Sequence, residues 1–284
     1  MSEEERKSGK VDVTKEGVHW DLKKDQTYGG YLQLDQILSA QNLRTDHHDE
    51  MLFILIHQVV ELWIKLVLHE LQSAVECVKK DQLEPAFKML SRVSRIQIQL
   101  KEAWEVLSTL TPVDYVQFRE SLGQASGFQS HQYRTLEFIL GNKNAEMIKV
   151  HKKNPEIYTL VKKALDSPSL YDEVLRLLAR RGFAIPKEKI DRDWAESYQS
   201  DSAVEAAWLK VYKDVEKYWD LYALAEKLVD VEDNFHQWRF RHMKTVERII
   251  GFKRGTGGTG GVSYLVKALD LRFFPELWTV RTSI

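Results

Sequence analysis

Two histidines occupy apolar helical settings where a hydrophobe would be the ordinary choice. His57 lies in Phe53-Ile-Leu-Ile-His57-Gln-Val-Val-Glu61, with Phe53 and Glu61 one turn to either side of it on one helix face. His242 follows Trp238-Arg-Phe-Arg and shares a face with Phe235, Trp238, Val246 and Ile249. An imidazole so placed needs a hydrogen bond or a metal, and near neutral pH it can hold either a proton or a ligand. An isolated buried histidine is more often a satisfied core residue. Two such settings in one chain favour a ligand-holding site instead.

Three further groups surround these histidines. Tyr115, Phe118 and Arg119 fall on one side of a short helix, and an arginine beside aromatics suits a substrate whose carboxylate adjoins an apolar ring. The plain alternative is a surface arginine laying its stem on Tyr115. Arg239, Arg241, Lys244 and Arg248 flank His242 on other helix faces, either as partners for the anionic groups of a cofactor or as a solvated basic face. The loop Gly255-Thr-Gly-Gly-Thr-Gly-Gly lacks the Gly-Lys-Ser/Thr ending and the preceding strand of a phosphate cradle. It reads as a mobile loop over Gly255–Gly261 that folds over a ligand, with the Thr256 hydroxyl available.

Other histidines are less promising. His236 is turned about 240° around the helix from His242, so the two cannot chelate one metal. His47-His-Asp-Glu50 reads as a helix start with acidic residues near its positive end.

These residues must be positioned by helices. No glycine occurs between Gly30 and Gly123 or between Gly182 and Gly251, and apolar residues recur at three- and four-residue intervals over 49–80, 85–110, 170–181 and 203–250. The chain is therefore all-α, a helical bundle-like single domain with long helices. The 203–250 pattern exceeds an ordinary globular helix, so a break is expected near Val229–Asn234. Thr111-Pro-Val-Asp114 predicts a helix start with Thr111 as cap, running to Leu122, and Gly141 should end a helix over Gln129–Leu140. A small helical insertion is expected at about 145–200, where charges and prolines are denser. The charged start of the chain predicts a disordered tail over residues 1–20 ahead of a helical domain at 21–284, and no export.

Composition excludes several classes. Lys+Arg 41 against Asp+Glu 42 leaves no global field for nucleic acid or an acidic membrane. The lone Cys77 rules out a disulfide framework and a cysteine zinc site, and suits a reducing cytoplasm. The apolar run Met51–Leu71 is interrupted by His57, Glu61 and Lys65 at four-residue intervals, so it reads as a buried soluble helix and not a membrane span.

From about Thr27 to Ser283 the chain resembles the tryptophan 2,3-dioxygenase family. The resemblance is carried by Thr27-Tyr-Gly-Gly-Tyr-Leu, His47-His-Asp-Glu-Met-Leu-Phe, His57-Gln, Glu61-Leu-Trp, Phe118-Arg, Ser126-Gly-Phe-Gln-Ser, Trp238-Arg-Phe-Arg-His and Gly251-Phe-Lys-Arg-Gly-Thr-Gly-Gly. It implies a cytoplasmic homotetramer with one haem b per subunit. It further implies insertion of O2 across the indole C2–C3 bond of L-tryptophan to give N-formyl-L-kynurenine, the first step of the kynurenine pathway. By the same resemblance His242 is the iron ligand, and the basic residues beside it are candidates for the haem propionates. His57 is the distal histidine facing the indole N–H, and Arg119 binds the substrate carboxylate. Thr256 contacts the substrate's ammonium and carboxylate, Tyr115 lines that end, and Phe53 packs the indole. Ser126, Gly127, Trp104 and Tyr133 fall near the haem. Tyr28, Tyr31 and Leu32 match residues that the family supplies to a neighbouring subunit's pocket. His131 departs from the apolar residue expected after Phe-Gln-Ser. The competing readings are an indoleamine-type dioxygenase of broader specificity, a haem-binding sensor or carrier without catalysis, and a helical scaffold whose histidines are merely core.

Overall fold

The computed structural model describes residues 13, 14, 16–20 and 27–284, and every regular element among them is helical. The tail expected over residues 1–20 falls mostly outside the described residues. Contacts divide the chain into two units, one up to Leu43 and one from Arg44 onward. In the first, α1 (Tyr28–Leu32) and α2 (Leu34–Leu38) meet at Gln33, whose φ of 54° ends one helix and begins the next. The Thr27 hydroxyl caps α1 by accepting from the Gly30 N–H.

The second unit holds α3 (Asp49–Lys79), α4 (Leu83–Leu107), α5 (Pro112–Arg119), α6 (His131–Leu140), α7 (Pro155–Leu165), α8 (Leu170–Arg180), α9 (Lys187–Ile190), α10 (Ser202–Lys213), α11 (Trp219–Ile250), α12 (Val262–Leu269) and α13 (Pro275–Thr279). Three of these form the frame. Along α4 the buried residues Leu83, Ala86, Leu90, Val93, Gln97, Leu100, Trp104 and Leu107 alternate steps of three and four. The same alternation runs through Leu221, Leu224, Leu228, Val231, Phe235 and Trp238 of α11 and through Val60, Ile64, Val67, Leu71, Ala74 and Val78 of α3. A 3–4 repeat gives each helix a seam, and α4 buries its seam between α3 and α11. Each fully buried leucine there contributes about 2 kcal/mol.

Extending the repeat backward along α3 reaches His57 and Phe53, and forward along α11 reaches His242, Thr245 and Ile249. Both histidines therefore stand where the packing pattern expects an apolar knob. Trp104 holds a seam position near the end of α4 and lies between them. Gln97, polar on this seam, donates its Nε2 hydrogen to the Val231 carbonyl at 3.1 Å and so registers α4 against α11. The contacts Lys101–Gln237, Arg241–Glu105 and Arg248–Ser108 continue that register, so the two helices run parallel.

The break expected near Val229–Asn234 does not occur. α11 is continuous over 32 residues, and the chain turns instead at 214–218, after Asp214 ends α10. The polar residues that looked like a break serve the C-terminal segment. Glu232, fully buried, accepts from the Phe273 and Phe274 N–H groups and from Trp278 Nε1.

The helix predicted from Thr111 is present. The Thr111 hydroxyl accepts from Asp114 N–H, Pro112 occupies the first turn, and a 3-10 turn carries the chain from Arg119 to Leu122. Gly141, at φ 120°, ends α6. Within 145–200 the residues divide: Ile148, Val161 and Leu165 form a small cluster with Phe138, whereas Leu170, Val174, Leu177 and Leu178 of α8 join the main core.

α3 is less buried than its pattern predicts. It is long and apolar enough to cross a membrane by length and composition, and only 22% of its most apolar window is buried. One face packs on α4, while Met51, Leu55, Val59 and Leu62 form an exposed apolar stripe along the other.

Candidate functional site

His57 is fixed by its own helix. Its Nδ1 lies 2.7 Å from the Phe53 carbonyl oxygen. A carbonyl only accepts, so Nδ1 carries the proton and Nε2 presents a lone pair. The imidazole sits 4.3 Å from the Phe53 ring and meets Trp104 edge-on at 6.1 Å. Burial lowers its pKa below the ordinary 6.5, against the opposing pull of the Phe53 carbonyl and the Glu61 carboxylate. Glu61 is itself held: Gln132 Nε2 donates to its carboxylate at 2.8 Å and to its backbone oxygen at 3.1 Å.

His242 lies on the other side of Trp104. The two rings stack at 4.5 Å with 16° between planes, and Trp238 adds a second near-parallel ring at 6.4 Å. Burial, with a smaller contribution from His57, pushes the His242 pKa down to about 4, so the imidazole is neutral. The ring makes no hydrogen bond among the described residues. A neutral imidazole with free nitrogens, beside aromatic planes, has the chemistry of a metal ligand.

Aromatic packing joins α5 to this centre. Tyr115 and Phe118 are buried and lie 5.8 and 5.6 Å from the Phe53 ring. Burial raises the Tyr115 phenol pKa, while the positive charge of the nearby Arg119 guanidinium pulls the other way. Arg119 Nη2 also donates to the Arg254 carbonyl at 2.7 Å, across 135 residues. A cavity of about 270 Å³ opens on the outer side of Tyr115 and Arg119, toward Ile250, Gly251 and Lys253. The two histidines do not line it.

The glycine loop is folded onto the segment before α6. Thr256 donates its hydroxyl hydrogen to the Ala125 carbonyl at 2.6 Å, and Gly257 lies against Ser126. Internal bonds from Gly255 N–H to Thr259 O and from Gly258 N–H to Gly255 O give the loop its own turns. Ser126 caps a 3-10 turn that begins at Gly127, accepting from Phe128 N–H. The structure thus gathers His57, Phe53, Trp104, His242 and Tyr115 into one aromatic cluster. It gathers Arg119, Thr256, Ser126 and Gly127 around the loop.

Other expectations change. The cations flanking His242 already hold protein groups: Arg239 pairs with Glu137, Arg241 with Glu105 and Lys244 with Glu247, while Arg248 donates to the Ser108 carbonyl. Each is already paired within the protein, so an anionic cofactor group would have to share or displace these partners. Tyr133 does not touch either histidine. Its ring lies 5.5 Å from Trp238 and stacks on Phe235, and its hydroxyl donates to Glu137. His131 is half-buried at the start of α6, near the buried His151, whose pKa is lowered chiefly by burial. Tyr28, Tyr31 and Leu32 lie on α1 in the first unit, where Tyr28 and Tyr31 are 76% and 70% exposed.

Two elements of support escaped the sequence reading. Glu137 is buried between Arg134 and Arg239 and also binds Asn142, tying α6 to α11 one turn before His242. Gln132 braces Glu61 from the same helix. Both belong to the run Gln132-Tyr-Arg-Thr-Leu-Glu137, whose charges at three-residue spacing were the available signal.

Comparison with known proteins follows the same residues. A family described as tryptophan 2,3-dioxygenase matches residues 14–284. The tryptophan 2,3-dioxygenase of Bacillus thuringiensis (strain Al Hakam) is 58% identical over 272 residues, covering 96% of this chain and 98% of that protein. Tryptophan 2,3-dioxygenase 1 of Ralstonia nicotianae is 60% identical over 264 residues, covering 93% and 90%. The enzyme of Cupriavidus necator is 60% identical over 268 residues, covering 94% and 91%.

Proposed function

The chain belongs to the tryptophan 2,3-dioxygenase family, and we propose that His242 is its haem iron ligand and His57 the group that faces the indole N–H of L-tryptophan. The protein is an oxidoreductase of tryptophan catabolism, a dioxygenase that inserts O2 across the indole C2–C3 bond to give N-formyl-L-kynurenine.

The residues present fit a haem b. His242 is neutral and unpartnered, and the buried Nε1 hydrogens of Trp104 and Trp238 beside it also lack acceptors. When bound, the haem supplies the redox-active iron that activates O2. Trp104 lies flat against His242, with Trp238 behind it and Tyr133 behind Trp238, so the imidazole cannot swing freely. Ser126 and Gly127, at the turn before α6, would help to hold the haem.

His57 accepts from the indole N–H through Nε2, because Nδ1 is committed to Phe53. Phe53 stacks on the indole, and Arg119 takes the carboxylate with the donors it does not spend on Arg254. Tyr115 and Thr256 complete the amino-acid end. These contacts orient the indole for reaction and exclude water from it.

The enzyme works as a homotetramer in the cytoplasm, with Tyr28, Tyr31 and Leu32 of one subunit completing a neighbour's pocket. The exposed rings of Tyr28 and Tyr31 and the apolar stripe on α3 support assembly. One observation carries the assignment of the site: two histidines on separate helices, one with a free Nε2 and one unpartnered, meet the same indole, Trp104. Oxygen uptake with L-tryptophan by the haem-loaded protein tests it, and loss of that uptake in His242→Ala is the expected result.

A further inference from the structure

We propose that Gly257 is a positioning residue for amino-acid recognition, because only a residue without a side chain lets the glycine loop seat on Ser126. This rests on the reading of Arg119 and Thr256 as the groups that hold the substrate's carboxylate and ammonium. A Cβ built on Gly257 would lie 2.7 Å from the Ser126 Cβ and 2.8 Å from its Oγ, closer than real Cβ contacts. The Ser126 Cβ is bound directly to backbone and cannot swing aside as the end of a long side chain could. Gly257 is not among the glycines with positive φ, so its conformation is open to alanine and space alone forbids one.

The seat carries the neighbouring contacts with it. One residue before, Thr256 reaches the Ala125 carbonyl at 2.6 Å. At the base of the loop the Arg254 carbonyl accepts from Arg119. After the loop, Tyr264 of α12 meets Phe128 edge-on at 6.1 Å. Ala125, Ser126 and Phe128 lie within one four-residue stretch, which the loop touches at two places and α12 at a third, while Arg119 holds the loop base. Lifting Gly257 from Ser126 therefore moves the Thr256 hydroxyl relative to the Arg119 guanidinium, and these two groups must face the same small amino-acid moiety.

The test is Gly257→Ala and Ser126→Gly, alone and together, in the haem-loaded enzyme. Lys253 and Arg254 are exposed at the loop base, so trypsin reports the seat independently of turnover. Gly257→Ala is expected to raise KM for L-tryptophan about 10-fold with kcat changed less than about 3-fold, and to speed tryptic cleavage after Lys253 and Arg254. In the double variant the space returns, and KM and cleavage rate should come back to within about 3-fold of Ser126→Gly alone. Wild-type KM and cleavage in Gly257→Ala would overturn the proposal, as would a double variant no better than Gly257→Ala. If cleavage responds as expected while L-tryptophan affinity does not, the seat stands and the substrate roles of Arg119 and Thr256 fall.

Discussion

His57 Nδ1 lies 2.7 Å from the carbonyl oxygen of Phe53, one turn earlier in the same helix, and this bond decides which nitrogen faces the site. A donor spent on the backbone leaves Nε2 as an acceptor, suited to an indole N–H and unable to donate unless the ring protonates. Removing it should cost the value of one substrate hydrogen bond. His57→Ala is expected to lower kcat/KM for L-tryptophan about 10- to 100-fold while haem stays bound. Complete loss of turnover in a variant with normal haem content would contradict an assisting role.

The same bond sets a pH dependence. Burial holds the His57 pKa below 6.5, so Nε2 is free across the neutral range. As pH falls through that lowered pKa the ring protonates and the acceptor disappears. kcat/KM should therefore be flat near neutrality and decline on the acid side of 6.5, and His57→Ala should lack that limb. Measuring the profile for both proteins between about pH 5 and 8 checks this. An unchanged acid limb in the variant would assign it to another group.

Arg119 discriminates by charge. Tryptamine keeps the indole and the amine but has no carboxylate, and an arginine left facing no anion is costly. Arg119→Ala should lower kcat/KM for L-tryptophan about 100- to 1,000-fold and leave the already poor turnover of tryptamine nearly unchanged. Equal losses on both substrates would place Arg119 in loop closure alone.

Much of this architecture was legible in the chain. Thr111-Pro-Val-Asp114 encodes a cap locally, and the hydroxyl of Thr111 makes the predicted bond. His57 and His242 stand out because each breaks an apolar repeat, and a repeat is visible without the partner helix. What was not legible depends on distant partners. Glu232 resembles a helix breaker until Phe273, Phe274 and Trp278 arrive to use its carboxylate. Arg239 resembles a free cation until α6 brings Glu137. The closeness of Gly257 to Ser126 likewise arises from chain segments about 130 residues apart.

The Arg134–Glu137–Arg239 cluster should be strongly destabilised by losing its carboxylate. All three side chains are buried, and Glu137→Ala leaves two guanidinium groups without their shared anion. A loss of about 3–5 kcal/mol in denaturant unfolding is expected, with Glu137→Gln in between. An unfolding midpoint unchanged by Glu137→Ala would show that the cluster does not tie α6 to α11.

The exposed stripe on α3 makes a prediction about assembly. Leu55→Lys with Leu62→Lys places charge on the apolar face without entering the core. The double variant should shift to a smaller mass by light scattering while keeping its helical circular dichroism. An assembly of unchanged mass would exclude this face from the interface.

The most direct measurement is the visible spectrum of the purified protein, oxidised and reduced, with and without L-tryptophan. A haem absorption band that shifts when L-tryptophan binds is expected, with its loss or collapse in His242→Ala at unchanged helix content. A wild-type protein that takes up no haem, or a His242→Ala variant with the wild-type spectrum, would contradict the assignment of His242 to the iron.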